Sequence, residues 1–308
     1  MSDPDDPFDG PARSGWAAFD ALHDAPARWL PAVTVLAERF GGGPVVPMGE
    51  GTALVARLGD DRFLKVYPPF LADHAAFEAA MLPHLHGRLS LPTPALLAHE
   101  QHRGWPVLLI SRVPGEPLTA HWPTMAEADR LRLLHTLGGL INAVQALPLG
   151  EMARLALPWP EHLARQRAGC HARQQRTGLP AHLLAQVDDF VAGPLPDDGP
   201  TVLLTGEYTP MNLMVQDGRL SAMFDFGDGL IGPGPSDWLG PLCFLAAGHA
   251  PRVQALMDGL GATLTDRLRD GLMRLLLLHR YSALQLQIAC PGWQAQPDFS
   301  RLARFLWP

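Results

Sequence analysis

The sequence predicts an α+β fold in two parts, a smaller N-terminal part with an antiparallel sheet and a larger, mainly helical C-terminal part. Short β-branched and alternating runs, bounded by glycine turns, occur before residue 114. Long apolar patterns of helical spacing dominate after it. Hydrophobic residues make up 47% of the 308 residues, which is enough for a packed core. We therefore expect an N-terminal domain over residues 1–114 and a C-terminal domain over residues 115–308, joined at "VPGEP".

The N-terminal part begins with an acidic stretch over residues 1–14 that we expect to be a flexible tail. The next segment, "WLPAVTVLAERFGGG", predicts a helix ended by glycines. The run "PVVPMGEGTALVARLGDDRFLKVYPP" predicts strands joined by hairpin turns. Helical spacing returns in "LADHAAFEAAMLPHL", and "ALLAHEQHRGWPVLLISRV" predicts a second pair of strands around a polar turn.

The C-terminal part carries helical patterns in "MAEADRLRLLHTLGGLINAVQAL", "WPEHLARQRAGCHARQQ" and "AHLLAQVDDFV". One β insert follows, "TVLLTGEYTPMNLMVQDGRLSAMFDFGDG", which predicts strand, loop, strand, Asp-Gly turn and strand. Two more helical patterns lie within residues 236–289. This part is therefore predicted to be helical around a small sheet.

Charge and composition exclude several classes of protein. The formal net charge of −7 and the pI near 6.0 argue against a nucleic-acid partner. Cys170, Cys243 and Cys290 form no C-x-x-C motif, which excludes a zinc knuckle and fits a reducing cytoplasm. The longest apolar run, "LMRLLLLHRY", is interrupted by Arg274 and His279 and is too short to cross a bilayer. We expect a cytoplasmic protein without a membrane partner, and no particular oligomeric state is predicted.

Lys65, in "FLKVY", is the only lysine among 24 Lys and Arg residues. An ammonium group binds phosphate as a compact point charge, unlike the planar fork of arginine. Glu78 follows in "HAAFEAAML", among small and apolar helix residues, where a carboxylate on the buried side needs a partner. A strand lysine followed by a helix glutamate predicts an ion pair that orients the lysine toward phosphate. An exposed strand lysine and a solvated helix glutamate are the alternative interpretation.

A glycine turn, "MGEGTA", lies between two predicted strands and contains Gly49, Gly51 and Thr52. Glycines allow backbone N–H groups to approach a phosphate closely. The motif is not a full G-x-G-x-x-G, and a plain hairpin turn is the alternative interpretation. Because it precedes Lys65, we assign these three residues to nucleotide binding.

The strongest pattern combines Glu207 and Asn212 in one loop with Asp225 in "FDFG". Carboxylate and amide oxygens are hard ligands suited to Mg²⁺. Phosphoryl transfer requires a cation for the nucleotide phosphates, a divalent metal, and a carboxylate facing the incoming hydroxyl. We therefore predict phosphoryl transfer, with Glu207 as the catalytic carboxylate and Asn212 and Asp225 as the metal ligands.

In this order the motifs resemble the aminoglycoside phosphotransferase and choline-kinase-like branch of the protein-kinase superfamily, over roughly residues 45–245. The resemblance implies a two-lobed protein-kinase-like fold with ATP between the lobes, or GTP as an open alternative. In "LLISRVPGEPL", backbone groups near Ser111 and Val113 would bind adenine. In "GPGPSDW", Asp237 would have a structural role beside the catalytic loop.

Two positions depart from the family pattern of His-Gly-Asp, four residues and Asn. Thr205 stands at the histidine position and Glu207 at the position of the aspartate base. Glutamate keeps the carboxylate but is one methylene longer. We interpret the chain as a working enzyme with an altered base, and a nucleotide-binding pseudokinase with a regulatory role is the alternative.

The resemblance implies a small hydroxylated acceptor, with aminoglycosides as the leading class. Asp228, Asp266 and Asp270 are acidic residues that could meet an amine of such a substrate, and each equally fits a solvated surface. Kinases of choline, homoserine or sugars remain alternatives at this point.

Overall fold

The computed structural model describes residues 7–49, 51–196, 199–206 and 208–308. The chain divides into two compact units. The first unit comprises the described residues up to Arg88, Pro92–Val113 and Phe226–Asp228. The second comprises Leu89–Leu91, Pro114–Asp225 and Gly229–Pro308. The predicted α+β class, with an antiparallel sheet in the N-terminal part and a helical C-terminal part, is confirmed.

The first unit is built on an antiparallel sheet in the order β1-β2-β3-β5-β4. Its strands are β1 (Val45–Met48), β2 (Leu54–Leu58), β3 (Arg62–Val66), β4 (Leu96–His102) and β5 (Trp105–Ser111). Its helices are α1 (Trp16–His23), α2 (Pro26–Ala37) and α3 (Ala72–Leu85). The helix predicted before the glycine run ends as expected, because Gly41 adopts a left-handed φ of 90°.

Side-chain alternation gives the sheet two different faces. One face contributes Leu64 and Val66 of β3 to a hydrophobic core that it shares with Trp29 and Val33 of α2. The intervening Lys65 therefore lies on the opposite face, where it meets α3. The strand register fixes this arrangement, because a shift of one residue would exchange the two faces.

The expected flexible tail over residues 1–14 differs from the structure in its second half. Residues 1–6 lie outside the described residues, but residues 7–14 are part of the first unit, and Phe8 and Ala12 are buried in it. Phe8 is 1% exposed, and its carbonyl accepts a hydrogen bond of 2.9 Å from Trp105 Nε1. The acidic composition of the segment did not indicate this contact, because the contact depends on Phe8 alone and on Trp105, which is distant in the sequence.

The second unit is mainly helical, with short strands that position its loops. Its helices are α4 (Leu118–His121), α5 (Glu127–Gln145), α6 (Met152–Leu155), α7 (Trp159–Arg176), α8 (Ala181–Leu184), α9 (Val187–Val191), α10 (Leu239–Phe244), α11 (Ala250–Leu260), α12 (Asp266–Leu278), α13 (Leu284–Gln287) and α14 (Phe299–Leu306). Its strands are β6 (Glu116–Pro117), β7 (Val202–Leu204), β8 (Leu213–Gln216), β9 (Arg219–Met223) and β10 (Leu230–Gly232). Among the described residues, no helix has the length and hydrophobicity needed to cross a bilayer.

The strands of the second unit pair in two antiparallel groups, β6-β8-β9 and β10-β7. The predicted Asp-Gly turn joins β8 to β9, and Asp217 and Gly218 both have positive φ values, 52° and 71°. This conformation is the one required by a two-residue hairpin of type I′. The turn therefore sets the pairing of Gln216 with Arg219 and of Val215 with Leu220, and the register shifts by one residue before Leu213 pairs with Met223.

Helices α5 and α11 cross closely in the second unit. A Cβ on Gly138 would lie 2.7 Å from backbone atoms of α11, and one on Gly259 would lie 2.1 Å from the His135 carbonyl oxygen. Only glycine fits at such a backbone approach. The crossing is also held by Arg252, whose Nε and Nη2 donate to Glu127 at 2.8 and 2.6 Å.

Candidate active site

Lys65 and Glu78 form a buried ion pair in the first unit. Lys65 Nζ lies 2.8 Å from Glu78 Oε1 and 2.6 Å from Oε2. Lys65 is 6% exposed and Glu78 is 0% exposed. Burial of one charge alone would be strongly unfavourable, so each group requires the other. The pair expected from the spacing of strand and helix is therefore present.

The Glu78 carboxylate also accepts hydrogen bonds from two residues that the sequence did not indicate. The Tyr67 hydroxyl donates to Oε2, and the Phe226 backbone N–H donates to Oε1 at 3.3 Å. Phe226 belongs to the "FDFG" motif and to the first unit. Glu78 thus joins the end of β3, helix α3 and the segment Phe226–Asp228.

The glycine turn connects β1 to β2, whose facing residues Met48 and Val55 close the hairpin. Gly49 and Gly51 are exposed, and Thr52 is half-buried. Gly51 has a φ of 114°, a conformation that a residue with a side chain rarely adopts. Glu50, between the two glycines, lies outside the described residues. The turn thus presents two exposed glycines, which suits close approach of a ligand to the backbone.

Ser111 and Val113 lie at and after the end of β5. The Ser111 N–H donates to the Ala95 carbonyl at 3.0 Å, and the Ser111 hydroxyl accepts from the Ala95 N–H at 2.8 Å. The next N–H, that of Arg112, donates to the Asp61 carbonyl at 2.6 Å. The N–H groups of Ser111 and Arg112 thus already donate to residues next to the strands of the first unit. Val113, 8% exposed, follows them at the end of the first unit.

Asn212 and Asp225 lie at the same end of the β8–β9 hairpin in the second unit. Asn212 directly precedes β8, and its carbonyl accepts a hydrogen bond of 3.1 Å from the Phe224 N–H, just after β9. Asp225 is the next residue, with a φ of 67°. Aspartate tolerates this left-handed conformation better than most residues, and such positions concentrate at functional sites. The hairpin therefore brings together an amide side chain, 7% exposed, and a carboxylate.

The loop after β7 is anchored by Asp237. Its Oδ2 accepts a hydrogen bond from the Thr205 N–H and its Oδ1 from the Gly206 N–H, both at 3.0 Å. Burial raises the pKa of Asp237 to about 7, against the lowering effect of these two N–H groups. Asp237 thus hydrogen bonds the loop amides, which agrees with the structural role that the resemblance implies. Glu207, the predicted catalytic carboxylate, lies outside the described residues.

Two of the three acidic residues considered for substrate amines, Asp228 and Asp266, have basic neighbours. Asp266 lies within 3.1 Å of Arg269 and 3.2 Å of Arg304, and the Arg304 hydrogen bond is the main reason that its pKa is lowered. Asp228 Oδ1 lies 3.2 Å from His74 Nδ1 in the first unit. Asp266 is therefore already paired with Arg269 and Arg304, which argues against a contact between Asp266 and a substrate amine.

A match to a protein-family model assigns the chain to a family. A model described as "Phosphotransferase enzyme family" matches residues 47–237, which is more than half of the chain and includes each predicted site residue. The chain belongs to this family. Membership makes the chain a phosphotransferase with an alcohol group as acceptor. A comparison with curated proteins found no significant match.

Solved structures of other phosphotransferases share the fold. The GDP complex of wild-type aminoglycoside 2'-phosphotransferase-IIIa is 17% identical, with a TM-score of 0.66 over 89% of this chain and 97% of that chain. The streptomycin-ATP-APH(2")-IIa ternary complex is 12% identical, with a TM-score of 0.64 over 88% and 97%. Macrolide 2'-phosphotransferase MphH from Brachybacterium faecium is 22% identical, with a TM-score of 0.59 over 79% and 88%. At these identities the likeness establishes the fold alone, so for this phosphotransferase it confirms the predicted protein-kinase-like fold.

The donor chemistry of this phosphotransferase fits a nucleotide with Mg²⁺. The β8–β9 hairpin offers an amide oxygen and a carboxylate, the hard ligands that Mg²⁺ prefers. The first unit offers the Lys65 ammonium and a glycine turn.

The sequence did not indicate Tyr67 or the Phe226 N–H as parts of the site, because neither a tyrosine at the end of a strand nor a backbone group leaves a recognisable sequence pattern.

Proposed function

We propose that this phosphotransferase is an ATP-dependent small-molecule kinase that phosphorylates a hydroxyl of an aminoglycoside-like substrate. The observation that carries the proposal is the buried Lys65–Glu78 pair in the first unit. A fully buried carboxylate that grips the only lysine of the chain has little use in stability alone, because apolar residues of similar volume stabilise a fold as well.

Lys65 would hold the phosphates of the nucleotide. Glu78 fixes the position of the ammonium in advance, so that binding requires little reordering of the side chain. Gly49, Gly51 and Thr52 would contribute backbone groups of the β1–β2 turn to the same phosphates. Both contributions are electrostatic, which is the main source of rate enhancement in phosphoryl transfer.

Asn212 and Asp225 would hold Mg²⁺. When bound, the metal neutralises charge on the phosphates of the nucleotide during transfer. The role of the protein is to keep both oxygen ligands at one end of a rigid hairpin, which the Asp-Gly turn and the Phe224–Asn212 hydrogen bond support.

Glu207 would orient the acceptor hydroxyl for in-line attack and receive its proton. It directly follows Thr205 and Gly206, whose N–H groups are fixed by Asp237. This anchoring holds the two residues that precede Glu207 in the sequence. Because proton removal contributes little to a loose transition state, a glutamate in place of aspartate is compatible with turnover.

Adenine would be read by the backbone near Ser111 and Val113. The engaged N–H groups of Ser111 and Arg112 leave Val113 as the better candidate donor. The similar structures include complexes with GDP and with ATP, so both ATP and GTP belong in the assay.

The acceptor class rests on the similar structures, whose names refer to aminoglycosides and a macrolide. Asp266 gives no support to an amine-bearing acceptor, since Arg269 and Arg304 already neutralise it. A panel of aminoglycosides, macrolides and small amino alcohols therefore decides the acceptor.

The test is nucleotide turnover with Mg²⁺ across this panel, for wild type and Asp225→Ala. We expect acceptor-dependent ADP release by wild type and a loss of about a hundredfold or more in the variant, by analogy with removal of other charge-stabilising groups. A chain that binds nucleotide but gives only background turnover with every acceptor, in both proteins, would instead support the pseudokinase alternative.

A further inference from the structure

Tyr67 joins the sheet of the first unit to helix α3. Its backbone N–H donates to the Pro106 carbonyl at 2.9 Å, which continues the pairing of β3 with β5 beyond the strand. Its hydroxyl donates to Glu78 Oε2 on α3. The residue is 1% exposed, so water does not compete for this bond. Tyr67 therefore holds Glu78 at a fixed distance from the strand that carries Lys65.

The tyrosine ring and hydroxyl act on the ion pair in two ways. The ring lies 5.3 Å from Lys65 Nζ, which places the ammonium within reach of a cation–π interaction. The hydroxyl donates a hydrogen bond to Glu78 Oε2, the carboxylate oxygen that lies 2.6 Å from Lys65 Nζ. Hydrogen bonding to a carboxylate withdraws part of its charge, so Glu78 neutralises Lys65 less completely. The ammonium then keeps more attraction for a phosphate.

The same hydroxyl lies against the "FDFG" segment. A Cβ placed on Gly227 would lie 3.3 Å from the Tyr67 hydroxyl oxygen, closer than most side-chain contacts. The neighbouring Phe226 N–H donates to Glu78 Oε1, the other oxygen of the carboxylate. The Glu78 carboxylate thus accepts hydrogen bonds from the Lys65 ammonium, the Tyr67 hydroxyl and the Phe226 N–H. All three donors belong to the first unit.

We propose that Tyr67 is a positioning residue, which orients Glu78 so that the Lys65 ammonium and the segment Phe226–Asp228 are held together before any nucleotide binds. Its part in turnover rests on the proposed function. Its part in holding the segment does not, because that follows from contacts in the protein alone. Without the hydroxyl, Glu78 Oε2 loses one hydrogen-bond donor, and its charge interacts more strongly with Lys65. The Glu78 carboxylate can then rotate away from the Phe226 N–H.

The test compares Tyr67→Phe with Thr93→Val. Tyr67→Phe removes only the hydroxyl and keeps the ring beside Lys65. Thr93→Val removes a hydroxyl from the same unit, where Thr93 is 2% exposed and its hydroxyl has no hydrogen-bond partner among the described residues. Amide exchange at Phe226, without nucleotide, should accelerate roughly tenfold in Tyr67→Phe, as expected for loss of a bond to a charged acceptor. Thr93→Val should exchange at the wild-type rate.

Kinetics provide the second readout. Tyr67→Phe should raise the KM for the nucleotide and lower kcat/KM by about tenfold, whereas a merely structural role would reduce the active fraction and leave KM unchanged. In a double-mutant cycle with Glu78→Gln, the tyrosine change should have little further effect, because Tyr67 acts through Glu78.

The outcomes separate the two proposals. Turnover by wild type with unchanged exchange and unchanged KM in Tyr67→Phe would overturn the role of Tyr67 and leave the proposed function intact. An inactive wild type with faster Phe226 exchange in Tyr67→Phe would overturn the proposed function and keep the positioning role. Full additivity with Glu78→Gln would also contradict action through Glu78.

Discussion

Lys65 illustrates how strand register decides the surroundings of one charged side chain. Its neighbours Leu64 and Val66 enter the hydrophobic core, so Lys65 must point to the other face of the sheet. There it is enclosed with Glu78 and is only 6% exposed. The chemistry expected of this site therefore depends on a compact cation at that single position.

We expect Lys65→Arg to lower the rate of phosphotransfer strongly, by roughly tenfold to a hundredfold, since a planar guanidinium cannot reproduce the position of the ammonium. The measurement is kcat/KM for the nucleotide. Arg62→Lys on the same strand is the matched control. Arg62 donates to the Phe40 carbonyl rather than to the site, so this change should leave kcat/KM almost unaltered. Near-normal activity of Lys65→Arg would remove Lys65 from the phosphate site.

Asn212 permits a similar test of the metal site. Asn212→Ala should shift the Mg²⁺ concentration for half-maximal turnover upward by about tenfold or more, because one oxygen ligand is lost. Asn142→Ala is the control, since that amide donates to the Leu260 carbonyl at the α5–α11 crossing. If both variants give the wild-type Mg²⁺ titration, Asn212 is not a metal ligand.

At the scale of one element, helix α7 contains a buried histidine in a positive environment. His162 is 8% exposed and stacks on Trp159, with ring centroids 5.3 Å apart. Burial, together with the charges of Arg280, Arg165 and Arg173, lowers the pKa of His162 to about 4. The imidazole is thus neutral in the folded protein at pH values where it is charged in the unfolded chain.

Stability should therefore fall on acidification. Between the ordinary pKa of 6.5 and the folded value of about 4, the unfolded chain binds more protons, so the free energy of unfolding decreases as the pH falls. We expect His162→Gln to reduce this loss between pH 7 and pH 5 by about 2 kcal/mol, measured by urea unfolding. Equal slopes in the wild type and in His162→Gln would contradict the assignment.

A second element, α5, is held against α11 by an ion pair and by a close backbone approach. Arg252 hydrogen bonds lower the pKa of Glu127 to about 2, so the pair stays ionised at neutral pH. Arg252 also lies over the Trp122 ring at 5.4 Å. With the close backbone approach at Gly138 and Gly259, these contacts fix α11 against α5 within the second unit.

At the scale of the whole molecule, the sequence predicted those elements that are determined by residues close together in the chain. The strands around Lys65 followed from their alternation, and the β8–β9 hairpin followed from its Asp-Gly turn. The Lys65–Glu78 pair was predictable because a lysine in a short strand pattern is followed by a glutamate among the apolar residues of a helix pattern.

Contacts between distant segments were not predictable in this way. Tyr67 and Phe226 meet Glu78 through tertiary packing, and neither leaves a periodic signal. Phe8 packs beside Trp105 from a stretch whose acidic composition suggested a tail. Asp266 is paired with Arg304, which lies on another helix, so its availability could not be judged from sequence.

The most direct test of the central claim is transfer of the γ-phosphoryl group from ATP to an acceptor hydroxyl, detected as the phosphorylated product by mass spectrometry. We expect product from wild type only when Mg²⁺ and a suitable acceptor are both present, and almost none from Asp225→Ala. Product formed equally well by Asp225→Ala, or no product from wild type with any acceptor of the panel, would contradict it.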